Sequence, residues 1–221
     1  SNGLQNRVSW VRVLPPLPIC YYLHMTHNFQ QIVNDPIRIR SILDNCSFVG
    51  TYERWVKRKK FISDAINQSG SFLDIGCGNG FLIRSLQEWS NFELIPFGVD
   101  IDETYILKAK EMFPENANNF SVLDARNLVK LRQVGLPDKY NSVYFSNIWT
   151  EGAVNTSKTM IQELLEHVNP GGRLIIGFYD EDPEKNLRML NLTEEAGVKW
   201  SGSKKNPSGT NIVAWVDQGS S

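Results

Sequence analysis

The sequence predicts an α/β protein: a mostly parallel sheet covered by helices on both faces. Three observations predict it. The stretch Phe72-Leu73-Asp74-Ile75-Gly76-Cys77-Gly78-Asn79-Gly80 reads as a buried strand ending in an acid, a glycine turn and a helix start. The same alternation recurs downstream, which favours crossover helices between parallel strands. Finally, 221 residues with 41% apolar content suffice for one domain with a real core.

The glycine stretch organises the rest. Phe72, Leu73 and Ile75 supply the apolar run of a strand buried on both faces. Gly76, Gly78 and Gly80 permit a tight turn and leave no Cβ between the backbone and a ligand. Phe81, Leu82, Leu86 and Trp89 then fall near one helical face. A strand, a glycine turn and a helix start form a small-molecule site at the carboxyl end of a parallel strand. The spacing fits NAD or FAD poorly: the third glycine comes one residue early, and Phe81 stands where a small residue is wanted. No Gly-Lys-Ser/Thr follows, so a P-loop is excluded as well.

Composition narrows the class. A net charge of −1 argues against a dedicated nucleic-acid binder. Cys20, Cys46 and Cys77 are scattered without a CxxC pair, so neither a zinc site nor a disulfide framework is expected and a reducing cytoplasm is the simplest setting. No apolar run is long enough for a membrane helix. Near the amino terminus, Leu14-Pro15-Pro16-Leu17-Pro18 breaks any helix and spoils a signal peptide. Residues 1–27 therefore read as a disordered or non-native extension, with Met25 a natural start and His24 and His27 as tail residues.

Residues 28–217 read as one domain, beginning with helices in 28–69. Asp35-Pro36 starts the first of these, with a capping acid and a proline at the first position. Thr51 caps a second, running from Tyr52 to about Asn67. It carries Arg54, Lys57, Arg58, Lys59 and Lys60 among Trp55, Val56, Phe61 and Ile62. The basic residues read as a solvated face, with a nucleic-acid or protein-binding face as the alternative.

Strand 2, Leu94–Val99, ends at Asp100, 24 residues beyond Gly76. An acid at that distance can accept hydrogen bonds from ribose hydroxyls. Asp102 caps the helix that follows, which Pro114 ends. Strand 3, about Phe120–Leu123, leads to Asp124, itself a candidate helix cap. Strand 4, Tyr140–Phe145, ends in Ser146-Asn147-Ile148-Trp149-Thr150-Glu151. A helix from about Thr156 to Val168 precedes the turn Pro170-Gly171-Gly172 and strand 5, Arg173–Phe178. His167 lies at the amino ends of the strands, away from the expected site, and reads as a helix-end residue. Asp182-Pro183 starts the last helix, and Val198–Ser201 and Ile212–Val216 read as two closing strands.

The run D-x-G-x-G-x-G from Asp74 to Gly80 resembles motif I of the class I S-adenosylmethionine-dependent methyltransferases. Asp100, Asp124 and the Pro-Gly-Gly turn follow in that family's order, so the resemblance spans roughly residues 50–217. It implies a three-layer sandwich with a seven-stranded sheet, order 3-2-1-4-5-7-6, strand 7 antiparallel. It implies S-adenosylmethionine as cofactor, S-adenosylhomocysteine as product and no metal. It places the methionyl end at Asp74, Gly76, Cys77 and Gly78, the ribose at Asp100, adenine at Ile101, Asp124 and Ala125, and Ser146 near the cofactor. Tyr52, Trp55, Asn147, Trp149 and Tyr179 become candidate acceptor contacts. Asn147, Glu151 and Asp180 are the catalytic candidates. Amino-methyltransferases of DNA and protein glutamine carry Asn/Asp-Pro-Pro-Tyr/Phe after strand 4, and Asn147-Ile148-Trp149 departs from that pattern. A small-molecule acceptor is the first expectation. A protein or RNA acceptor and a non-catalytic S-adenosylmethionine-binding scaffold are the alternatives.

Overall fold

The computed structural model describes residues 29–46, 48–146 and 154–219. The expectations for residues 1–27 and for Asn147, Trp149 and Glu151 lie outside these.

The sheet has seven strands in the order β3-β2-β1-β4-β5-β7-β6, as the resemblance implied. The strands are β1 (Gly70–Ile75), β2 (Leu94–Asp100), β3 (Phe120–Val122), β4 (Tyr140–Ser146), β5 (Val168–Phe178), β6 (Gly202–Lys205) and β7 (Ile212–Asp217). Strands β1 to β5 pair in parallel, and β7 runs antiparallel to both β5 and β6. The helices are α1 (29–33), α2 (Pro36–Asp44), α3 (Tyr52–Lys59), α4 (Phe81–Trp89), α5 (Glu103–Met112), α6 (Val154–Glu166) and α7 (Pro183–Glu195).

The period of two along each strand divides the core. Leu73, Ile75, Val143, Phe145, Leu174 and Ile176 face α6 and α7. Phe72, Tyr144 and Ile175 face the opposite way, toward α4 and α5. Asp74 shares this second face and pairs in register with Tyr144. A third apolar cluster, Phe29, Ile32, Ile39, Leu43, Trp55 and Phe81, clamps the amino-terminal helices onto α4.

The capping acids work as the sequence suggests. Asp35 accepts from the amides of Ile37 and Arg38, Asp102 from Thr104, and Asp182 from Glu184. Four boundaries differ. The helix expected over 52–67 is α-helical only to Lys59, whose φ of −123° bends the chain into a 3₁₀ segment, Lys60–Ala65. Helix α6 stops at Glu166, because Val168 already pairs with Tyr140. Strand β5 accordingly begins at Val168 rather than Arg173. Its Pro-Gly-Gly turn is an irregularity within the strand, tied down by Gly171 N–H donating to Gln218 O and Gln218 N–H to Gly172 O. The strand expected over 198–201 starts instead at Gly202. Val198 N–H donates back to Thr193 O and Trp200 Nε1 to Thr193 Oγ1, so residues 198–200 wrap the end of α7, and bonding to β7 begins with Ser201 N–H donating to Trp215 O.

Candidate functional site

A cavity of about 350 Å³ opens at the carboxyl ends of β1 and β4, between the glycine turn and α3. Asp74, Gly76, Cys77 and Gly78 form its floor, Tyr144, Ser146 and Tyr179 one wall, and Phe48, Trp55, Arg58 and Lys59 its cover.

The floor is held by Asp100. Its Oδ2 accepts from Gly78 N–H at 2.9 Å, and its Oδ1 from Asp102 N–H at 3.0 Å. Gly76 N–H and Cys77 N–H both donate to Val99 O. The turn this produces needs positive φ, +78° at Gly76 and +53° at Gly78. A Cβ at Gly78 would meet no atom within 4 Å and would stand in the open cavity. Gly78→Ala is therefore expected to cost only about 1–2 kcal/mol of stability through its left-handed backbone, yet to weaken adenosyl-ligand binding about tenfold. Thermal melts and calorimetric titration of the same preparation check both halves. Asn79 ties the turn to the helical cover: its Nδ2 donates to Ile42 O at 2.8 Å and its Oδ1 accepts from Phe81 N–H.

Asp74 is 2% exposed. Its carboxylate takes no hydrogen bond from the described residues and faces the cavity. Burial pushes its pKa up to about 7; Lys59 pulls it back in part, and Asp100 adds to the rise. A buried, ionisable and unsatisfied carboxylate is costly, and a cationic ligand group is what would satisfy it. Lys59 is held by aromatic faces, with Nζ 3.6 Å from the Tyr179 ring centroid and 5.9 Å from that of Trp55. Burial and the neighbouring Arg58 bring its pKa down to about 8, against the pull of Asp74. Tyr144 Oη donates to Tyr179 Oη at 3.1 Å. Gly177 makes room for this pair, since a Cβ there would overlap the Tyr179 ring.

The remaining candidates fall in several places. Ile101 is 67% exposed, a bare apolar face beside Asp100. Asp124 accepts from Arg126 N–H and pairs with the Arg126 guanidinium at 2.5 Å, so it does cap the 3₁₀ segment Ala125–Val134. The Arg126 hydrogen bonds hold its pKa down to about 2. Cys77 contributes backbone to the turn, while its thiol is buried in the core and pushed up by that burial. Tyr52 does not line the cavity; it packs edge-on against Phe29. Trp55 reaches the cavity but is chiefly packed: it is 4% exposed, and its Nε1 donates to Ser85 Oγ. Asp180 lines an adjacent cavity that shares Tyr179, and is paired to Lys185 at 2.6 Å. That pairing lowers its pKa and makes it a poor base. His167 Nδ1 lies 2.8 Å from Asp138 O at the amino ends of the strands.

Tyr144 belongs to the cavity but was not singled out from sequence, and Arg58 and Lys59, read there as part of a basic outer face, line the cavity as well. Lys59 stands four residues after Trp55 and so shares its face of α3. Tyr144 follows from the strand period, as the residue beside Asp74 in register.

Among the described residues no helix is long and apolar enough to cross a membrane. A methyltransferase-domain family matches residues 66–214, well over half of the chain. No curated protein matches it in sequence. A methyltransferase from Pyrococcus furiosus superposes with a TM-score of 0.52 at 16% identity, covering 76% of this chain and 82% of that one. A TehB-like S-adenosylmethionine-dependent methyltransferase from Corynebacterium glutamicum gives 0.50 at 16% identity, over 89% and 99%. The [4+2]-cyclase SpnF gives 0.53 at 12% identity, over 78% and 85%. At such identities these likenesses speak for the fold alone. The family match, together with the strand order found here, places this chain in the class I S-adenosylmethionine-dependent methyltransferases.

Proposed function

We propose that this enzyme transfers the methyl group of S-adenosylmethionine to a small-molecule acceptor at the glycine-turn cavity and releases S-adenosylhomocysteine. The observation that carries the reading is Asp74: a buried carboxylate, unbonded within the described residues, facing a cavity floored by positive-φ glycines. S-adenosylmethionine supplies an already activated methyl on its sulfonium, so the protein's part is alignment and exclusion of water. Asp74 receives the methionyl ammonium, and Gly76, Cys77 and Gly78 offer backbone against the methionyl chain. Asp100 keeps lone pairs for ribose hydroxyls beyond those used by Gly78 and Asp102. Ile101 offers its exposed face to the adenine ring, and Asp124 and Ala125 its edge. Ser146 closes the wall beside Tyr144.

The cavity sits near the lower limit of small-ligand pockets, roughly 300–1,000 Å³, which supports a small acceptor lying against Trp55 and Tyr179. The basic stripe supports an RNA or protein acceptor less well, because Arg58 and Lys59 line the cavity and leave Arg54, Lys57 and Lys60 on the surface.

The test is calorimetric titration with S-adenosylmethionine, S-adenosylhomocysteine and, as control, NADH. Micromolar binding of both adenosyl ligands and none of NADH is expected. Asp100→Ala removes the acceptor for two turn amides and for the ribose, and is expected to weaken binding at least about tenfold. Absence of binding in the wild type would reduce the assignment to fold alone. Tight binding without transfer of labelled methyl to any metabolite pool would favour a non-catalytic scaffold.

A further inference from the structure

Among the described residues the charges lining the cavity do not balance: there are two cations, Arg58 and Lys59, and one carboxylate, Asp74. Among the described residues neither cation makes an ion pair within 4 Å or a side-chain hydrogen bond; Lys59 rests on the faces of Tyr179 and Trp55 instead. On the reading proposed above, a methionyl group brings one ammonium and one carboxylate. The ammonium is matched by Asp74 and the carboxylate by one cation. One cation then remains, in the same cavity as a sulfonium. Two positive charges without a counter-ion among the described residues repel each other in so confined a space. An anion on the second ligand offsets that repulsion.

We propose that Arg58 and Lys59 between them serve two carboxylates, the methionyl one and that of the methyl acceptor, and that the acceptor is a small carboxylic acid held there by its carboxylate. The walls favour a monoanion on an organic body. Phe48, Trp55, Leu82 and the Tyr179 ring are apolar, which suits a carboxylate carried on an organic body better than a bare phosphate dianion. The guanidinium of Arg58 can grip both oxygens of one carboxylate, and Lys59 offers a point charge to the other. The subsite recognises the acceptor and does not define which of its atoms is methylated.

The inference rests on the cofactor reading, and its test separates the two. The wild type is first loaded with S-adenosylhomocysteine; failure at this step sinks the cofactor reading itself. The loaded protein is then titrated with a panel of carboxylates from acetate to benzoate and indole-3-acetate, each against its primary amide. The expected result is at least a tenfold preference for the carboxylate in one or more pairs, falling to below about threefold in the Arg58→Gln/Lys59→Met double variant loaded with 5′-methylthioadenosine. A methionyl carboxylate is the other source of the same chemistry, and 5′-methylthioadenosine, which lacks it, distinguishes the two. If the double variant loses S-adenosylhomocysteine while keeping 5′-methylthioadenosine, and no carboxylate outbinds its amide on the loaded wild type, the cations serve the cofactor alone and the proposal is overturned. Loaded wild type that prefers no carboxylate in any pair overturns it too.

Discussion

An Asp74→Asn variant is expected to bind S-adenosylhomocysteine about thirtyfold more weakly than the wild type, and yet to be the more stable protein above neutral pH. Both effects have one cause. The Asp74 carboxylate is buried and takes no hydrogen bond from the described residues, with Lys59 acting on it only through its charge, so its oxygens are open to a cationic ligand group that donates to them. A charged hydrogen bond of this kind is worth about 1.5–3 kcal/mol, and asparagine replaces it with a weaker neutral one. The stability effect follows from the pKa. Asp74 titrates near 3.8 when unfolded and at about 7 in the folded chain. The folded state therefore holds its proton more tightly, so this residue's contribution is fully present below about pH 4 and is lost as pH rises through 7. Asparagine has no such dependence. Denaturant melts at about pH 5 and about pH 7.5 should show the variant gaining about 2 kcal/mol on the wild type between them. Lys59, which Asp74 stabilises as a cation, will lose its proton more readily in the folded variant and add to that gain. A variant less stable than wild type at the higher pH, or one with unchanged affinity, would remove Asp74 from the role given to it.

The fold was legible because its signals are local and repeated. An acid shortly after β2 and another after β5 start the next helices, and Asp102 and Asp182, like Asp35 before α2, do cap the helices they precede. The glycine turn and Asp100 were legible for the same reason: the side chain that closes the turn stands at the end of the neighbouring strand. What was not legible depends on direction. Five basic residues in α3 and the segment after it look alike in sequence, but the break after Lys59 decides which of them meet the cavity. Tyr52 has the aromatic character expected of a substrate contact, but its position on α3 aims it at Phe29 and Trp89. The last strand pair slipped because Thr193 captures Val198 and Trp200, a contact between residues that propensity treats as separate.

Trp55 is where packing and site meet, and Trp55→Ala is expected to have the largest effect on stability of any single change in the cover. The indole is 4% exposed, edge-on to Phe48 at 5.1 Å and tilted against Phe81 at 5.4 Å. Its Nε1 donates to Ser85 Oγ at 3.1 Å, and Ser85 in turn donates to Phe81 O. Removing it empties the centre of the cluster that joins the amino-terminal helices to α4, at a cost of about 3–5 kcal/mol. For a domain of this size that corresponds to a melting temperature lower by about 8–15 °C. Trp55→Phe keeps most of the apolar contact and gives up the Ser85 bond, so about 1 kcal/mol is expected. The pair of variants also decides what the residue does for the site. If Trp55 positions the cover, adenosyl-ligand affinity will fall with stability in the alanine variant and recover in the phenylalanine one. If it is chiefly an acceptor contact, the alanine variant will melt within a few degrees of the wild type and bind S-adenosylhomocysteine normally, with only transfer impaired. The indole nitrogen settles the expectation toward the first outcome. It is spent on Ser85, inside the helix that starts at the glycine turn, so the ring holds α3 at the height where Lys59 and Arg58 reach the cavity.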